Sequence, residues 1–156
     1  MTRKRGRLLH ASAVLGAAGA GVALTAGPAA ADVGASMATP TTHLHDGQSV
    51  SVSWDTGQPW TSAQNEPGAA AECYEPIPPG ALGTVDLLSC DPFGSQLQAV
   101  KAPDGDLAYQ GTINVKKSFI AADGHAVACT NQCSIIVVQG ESPAFLSSGS
   151  VPITFK

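Results

Sequence analysis

The 156-residue sequence predicts an all-β sandwich, and three observations carry that prediction. Apolar residues alternate with polar ones at period two in several short runs, the pattern of strands with one buried face. Glycine and proline interrupt the chain every few residues, so no helical window of useful length survives. Four cysteines, an even set, suit a small exported domain stapled by two disulfides.

Taken in chain order, residues 1–31 read as a secretory signal peptide. Arg3, Lys4, Arg5 and Arg7 form a basic leader, small and apolar residues run from Leu8 to Leu24, and Ala29-Ala30-Ala31 places cleavage near Ala31. The leader has no Arg-Arg pair, which favours the general export route over the twin-arginine one. Residues 32–156 are then the mature, secreted domain. It is strongly acidic, because four lysines (Lys101, Lys116, Lys117 and Lys156) face twelve Asp and Glu, a formal charge of −8 without any arginine. Direct nucleic-acid binding is therefore not expected, since tracking phosphates needs clustered Lys and Arg. No apolar run in this part approaches the ~20 residues of a membrane span. The domain is expected to be a monomer without membrane contact.

The strands follow from pattern. A weak one is expected near Val33–Thr39. Val50, Val52 and Trp54 then share one face of a clear strand, with serines opposite. Another weak strand covers Ala69–Cys73, and Gln96–Ala99 alternates faintly. Leu107, Tyr109, Gly111, Ile113 and Val115 repeat the period-two pattern. Ile135–Val138 is continuously apolar and suits a strand covered on both faces, while Pro152 puts the last strand, Val151–Phe155, at a sheet edge. Asp46-Gly47, Pro103-Asp104-Gly105-Asp106 and Asp123-Gly124 supply turns. About seven to nine short strands result, the spacing of a sandwich.

Four cysteines allow three pairings, of which the sequence-local Cys73–Cys90 and Cys129–Cys133 is expected. By loop closure these bridges contribute about 3 and about 2 kcal/mol. An extended chain would hold Cys129 and Cys133 ~13 Å apart, whereas a disulfide tolerates about 4.4–6.8 Å between α-carbons. That pairing therefore requires Thr130-Asn131-Gln132 to turn back. The proline- and glycine-rich segment between Cys73 and Cys90 reads as a projecting ribbon stapled at its base. Neither pair has C-x2-C spacing, so no zinc site is expected.

Catalysis finds little support, because no serine stands in a nucleophile elbow and no spacing assembles a base and its orienting group. The protein reads as a non-enzyme. Glu72 and Glu75 flank Cys73, but spacing alone gives them no joint role. Asp123 and His125 are ordinary turn chemistry, and Lys116-Lys117 a solvated strand end. His43 and His45 would share a strand face yet lack a third ligand. Trp60 is expected to pack over the sheet edge.

An ordered set of residues resembles the neocarzinostatin family, the enediyne chromoprotein apoproteins of actinomycetes. It comprises Leu88-Ser89-Cys90-Asp91-Pro92-Phe93, Asp104-Gly105, Val115-Lys116-Lys117-Ser118-Phe119, Asp123-Gly124, and Cys129-Thr130 with Cys133. The resemblance implies an immunoglobulin-like seven-stranded antiparallel sandwich with a small disulfide-stapled ribbon subdomain. It implies a carrier that binds and protects a non-covalent enediyne-type chromophore, with no other cofactor required. Antibacterial and DNA-damaging activity would then reside in the released ligand. The cleft implied is lined by Cys73, Leu88, Cys90 and Phe93, with Ser134, Ile136 and Val138 as its floor. Three differences stand out: Glu75 where an aromatic often follows the first cysteine, Ile120 or Ala122 where another is usual, and Ile136 and Val138 on a floor usually small or polar. These differences predict a shallower, more apolar cleft. The alternative is a secreted immunoglobulin-like binding or structural module whose cleft is filled and holds no chromophore.

Overall fold

The computed structural model describes residues 36–61, 67–130, 133–141 and 143–156. The leader, its cleavage site and Val33 lie outside the described residues, as do Asn131 and Gln132 of the turn between the last two cysteines.

The chain is all-β. Its strands are β1 (Ser36–Thr39), β2 (Ser49–Pro59), β3 (Gly68–Cys73), β4 (Pro79–Gly83), β5 (Ser95–Lys101), β6 (Asp106–Asn114), β7 (Ser118–Ile120), β8 (Ala126–Ala128), β9 (Cys133–Glu141), β10 (Ala144–Ser148) and β11 (Val151–Ile153), with one 3-10 turn at Thr84–Leu87. All pairings between these strands are antiparallel. Eleven strands among the described residues exceed the seven to nine expected from the sequence. The surplus lies in short pieces: β10 and β4 extend the sheet beyond β9 as a ribbon, and β7 and β8 form a separate hairpin.

The sheet runs in the order β1-β2-β6-β5-β3-β9-β10-β4, with β11 also on β9. It curls back on itself, so β2 meets β9 across the interior. The fold at the seam is made by β5. Its first residues, Ser95–Leu97, pair with β3, while Gln98–Lys101 pair with β6. One strand therefore serves both layers.

Alternation explains the core. Val50, Val52 and Trp54 of β2 and Leu107, Tyr109 and Ile113 of β6 are buried, while the serines of β2 face out or stay part-exposed. The Trp54 and Tyr109 rings stack with centroids 6.1 Å apart, an arrangement that adds about 0.5–1.5 kcal/mol to the burial itself. Ile135 and Val137 of β9 and Ile153 of β11 close this core from the opposite layer. Trp60 packs part-buried against the same core, as its loop context predicts.

Both disulfides are the sequence-local ones, Cys73–Cys90 and Cys129–Cys133. The second holds its α-carbons 5.3 Å apart across four residues, which requires the expected reversal of the chain. Among the described residues no helix is long and apolar enough to cross a membrane.

Candidate ligand cleft

The two faces of β9 point to different surroundings because side chains alternate along a strand. Ile135 and Val137 enter the main core. Ser134, Ile136 and Val138 point the other way. Ile136 and Val138 are buried in a second apolar cluster with Cys73, Cys90, Ile77 and Leu82, against which Leu87 and Phe145 pack. The covering residues come from the chain between the first two cysteines and from β10. This end of the floor is filled by the protein's own ribbon. Ser150 holds the root of that ribbon, its hydroxyl accepting the Ile77 N–H and donating to the Ile77 carbonyl. Gly149, with φ of 78°, lies against Pro79, so that a Cβ there would come within 3.1 Å of the proline ring.

The Ser134 end is open. There β9 has moved from β10 to β11 as its neighbour, and Ser134 stands opposite Pro152. A cavity of about 610 Å³ is lined by Ser134, Cys133, Tyr74, Glu75, Pro76, Ser150 and Pro152. Ser134 is 4% exposed, and its hydroxyl has no hydrogen-bond partner among the described residues. A buried hydroxyl left unpaired costs about 1–3 kcal/mol, a cost that a ligand group reaching it would recover.

Tyr74 organises the surroundings. It borders the large cavity, a second of about 310 Å³ formed with Cys133 and the β8 residues Ala126–Ala128, and a third of about 360 Å³ that includes Leu88 and Asp123. The Tyr74 hydroxyl donates to Asp123 Oδ2 at 3.4 Å. Asp123 in turn accepts the His125 backbone N–H at 2.9 Å and lies 2.9 Å from its Nδ1. These contacts, the backbone one foremost, hold the Asp123 carboxyl below its usual range. Loss of hydration and the carboxylates of Glu75 and Asp123 raise the Tyr74 phenol. The ring is thus kept neutral and anchored at one edge, suited to stacking against a flat ligand.

The residues implied for the cleft are divided by the structure. Ser134 lines the open cavity, and Leu88, 39% exposed, lines the third one. Cys73, Cys90, Ile136 and Val138 form the closed floor. Phe93 joins neither group. It is 83% exposed, with the Lys116 ammonium 5.9 Å from its ring centroid. Sequence reasoning missed Tyr74, Pro76 and Ser150. A usable signal existed for Tyr74, because it is an aromatic directly after the first cysteine, one residue before the position where Glu75 breaks the family's pattern.

The remaining candidates separate as well. Glu75 is exposed at the cavity rim, whereas Glu72 is 1% exposed on the core side, so the two carboxylates do not work as a pair. Glu72 Oε2 accepts the Lys116 N–H at 2.8 Å. Burial nonetheless pushes the carboxyl up to about 7, with nearby Asp91 and Asp46 acting in the same direction. His43 and His45 are exposed, and neither joins a cluster of metal-ligating side chains among the described residues.

No family model and no curated protein matches the chain. Among solved structures it is similar to macromomycin, at 26% identity and a TM-score of 0.48, over 78% of this chain and 97% of that one. It is also similar to apokedarcidin in solution, at 22% identity and a TM-score of 0.46, over 80% of this chain and 99% of that one. Superposition this loose assigns no residue of the cleft, whose reading rests on its own side chains. Both neighbours are members of the neocarzinostatin family, the family that the cysteine order and the Val115–Phe119 run of this chain resemble.

Proposed function

We propose that the protein is a secreted carrier that binds and shields a small aromatic, enediyne-type chromophore. Residues 1–31 are removed on export and residues 32–156 form the carrier domain. Any antibacterial or DNA-damaging activity resides in the released ligand, because a surface of charge −8 without arginine repels duplex DNA. The protein itself performs no catalysis.

One observation carries this reading: a buried, unpartnered Ser134 hydroxyl in the wall of a 610 Å³ cavity, beside the Tyr74 ring. That combination of an apolar, concave wall with one fixed polar group is what orients a small ligand. The cleft residues of the proposal are therefore Ser134, Tyr74 and Leu88 rather than Phe93, with Ile136, Val138 and the Cys73–Cys90 bridge as rigid backing.

The test is a fluorescence titration of the purified protein with a neutral polycyclic aromatic probe. Saturable binding is expected, weakened about tenfold by Tyr74→Ala, the equivalent of ~1.4 kcal/mol of stacking. Binding that Tyr74→Ala leaves unchanged would rule out this cleft. A second reading, a secreted binding or structural module with a filled cleft, is favoured by the burial of Ile136 and Val138 under Ile77 and Leu82. Absence of any saturable binding, together with no visible absorption of protein from the native host, selects that second reading.

A further inference from the structure

Behind the cleft floor, on its core side, Glu72 faces the Cys129–Cys133 bridge. A carboxylate oxygen of Glu72 and the two sulfurs lie within 4.8 Å of one another, and all three residues are buried. The sulfurs are joined to each other, so the trio is not a ligand set for a metal. Glu72 Oε2 is held by the Lys116 N–H, while Oε1 has no partner among the described residues. An intact disulfide offers a carboxyl group almost nothing in return, being a poor acceptor and no donor. A disulfide being cleaved is different, because the departing thiolate needs a proton. Cys133 is 3% exposed and borders the 310 Å³ cavity beside β8, the route by which a small reagent would reach the bridge.

We propose that Cys129–Cys133 is a redox-active bridge, reducible by low-molecular-weight thiols, and that Glu72 is its built-in proton donor. A thiolate entering through the 310 Å³ cavity attacks Cys133 Sγ and forms a mixed disulfide. The Cys129–Cys133 bond breaks, its electron pair passes to Cys129 Sγ, and the Glu72 carboxyl supplies the proton. A second thiolate attacks the outer sulfur of the mixed disulfide and releases Cys133, which takes a proton from solvent, as does Glu72. In sum two thiols are oxidised to one small disulfide and the bridge is reduced to two cysteine thiols. This activity stands apart from the carrier role, because it requires no bound chromophore.

The surroundings keep the proton available. Burial raises the Glu72 carboxyl to about 7, Asp91 and Asp46 reinforce this, and the Lys116 amide and ammonium oppose it. On β9 and β11, no described residue opposite Glu72 is titratable apart from the bridged Cys133. The Cys73–Cys90 bridge belongs to the second apolar cluster on the other side of β3 and serves as an internal reference.

The experiment reduces the folded protein with a small dithiol across pH and measures each bridge separately by alkylation and peptide mass. The ratio of the Cys129–Cys133 rate to the Cys73–Cys90 rate cancels the titration of the reductant. In the wild type this ratio is expected to fall about a hundredfold on raising the pH through ~7, the lower reach of general-acid assistance. In Glu72→Gln it is expected to be low and flat. A flat wild-type ratio overturns the proposal, and so does a Glu72→Gln ratio that falls as the wild type's does. If the variant does not fold, the wild-type ratio decides alone.

Discussion

Two ends of one strand face behave differently in this molecule. Ile136 and Val138 project from β9 into a cluster closed by Ile77 and Leu82, whereas Ser134, on the same face, looks into a cavity of about 610 Å³. Sequence pattern alone treats the three as a single floor. What separates them is the neighbour of β9, which is the ribbon strand β10 at one end and the short β11 at the other. A branched apolar residue finds cover where the ribbon lies over it. Where the ribbon stops, the floor carries a small hydroxyl, itself buried, in the wall of the cavity. A floor can thus be apolar by composition and still keep one polar end for a ligand.

The contrast is broken most strongly from the closed end. Ile136→Ala should destabilise the domain by about 3–4 kcal/mol, the lost burial plus the cavity left behind. Chemical denaturation measures this, and a loss below ~1 kcal/mol would mean the ribbon does not cover the residue tightly.

Next comes the pH dependence set by Glu72, which lies behind the floor. Its folded carboxyl titrates near 7 against a usual value of 4.5, so the native state holds a proton that the unfolded chain releases. The raised value means that stability is greatest at and below pH ~4.5, falls as pH rises towards ~7, and is level above that. The total loss is about 3 kcal/mol. In Glu72→Gln that slope should vanish, leaving the variant more stable than the wild type at alkaline pH. Denaturation curves at several pH values for both proteins settle the point.

A smaller effect tests the hold of the ribbon. Gly149→Ala places a Cβ against Pro79 at a left-handed position, and a cost of about 1–2 kcal/mol is expected. If the ribbon is pinned there, the variant should also bind more of an apolar dye, because Ile136 and Val138 become reachable. Unchanged dye binding would detach the closed end from this turn.

The smallest change is expected at the open end. Ser134→Ala removes a buried hydroxyl that has no partner among the described residues and so relieves its desolvation cost; stability should rise, by about 1 kcal/mol. Affinity for a ligand carrying a hydrogen-bond acceptor should nevertheless drop severalfold. Loss of stability without loss of affinity would place the hydroxyl in the core rather than in the site.

Much of the scaffold is legible in the residues themselves. The alternation of Val50, Val52 and Trp54 names the buried face of β2, and the unbroken Ile135–Val138 run marks a strand covered on both sides. Both follow because burial is decided by the period of the backbone. The cleft is less legible, because its shape depends on pairings between distant segments. Nothing local in the Pro78-Pro79-Gly80 stretch announces that β4 will pair with β10 and roof over Ile136. Phe93 illustrates the same difficulty from the other side. An aromatic near a cysteine invites a cleft assignment, but Asp91 accepts the Phe93 N–H in a local turn, and the ring stands 83% exposed.

The passage of β5 from one layer to the other between Leu97 and Gln98 has a mechanical consequence. In a sandwich whose layers share no strand, the layers touch only through side chains and can slide or part while their hydrogen bonds stay intact. Here separation would have to tear the amide ladder on one side of β5. The two layers are therefore expected to open together, with the slowest-exchanging amides of β3 and β6 sharing a single protection free energy. Hydrogen exchange that graded one layer as distinctly weaker than the other would show that β5 acts as a hinge and not as a seam.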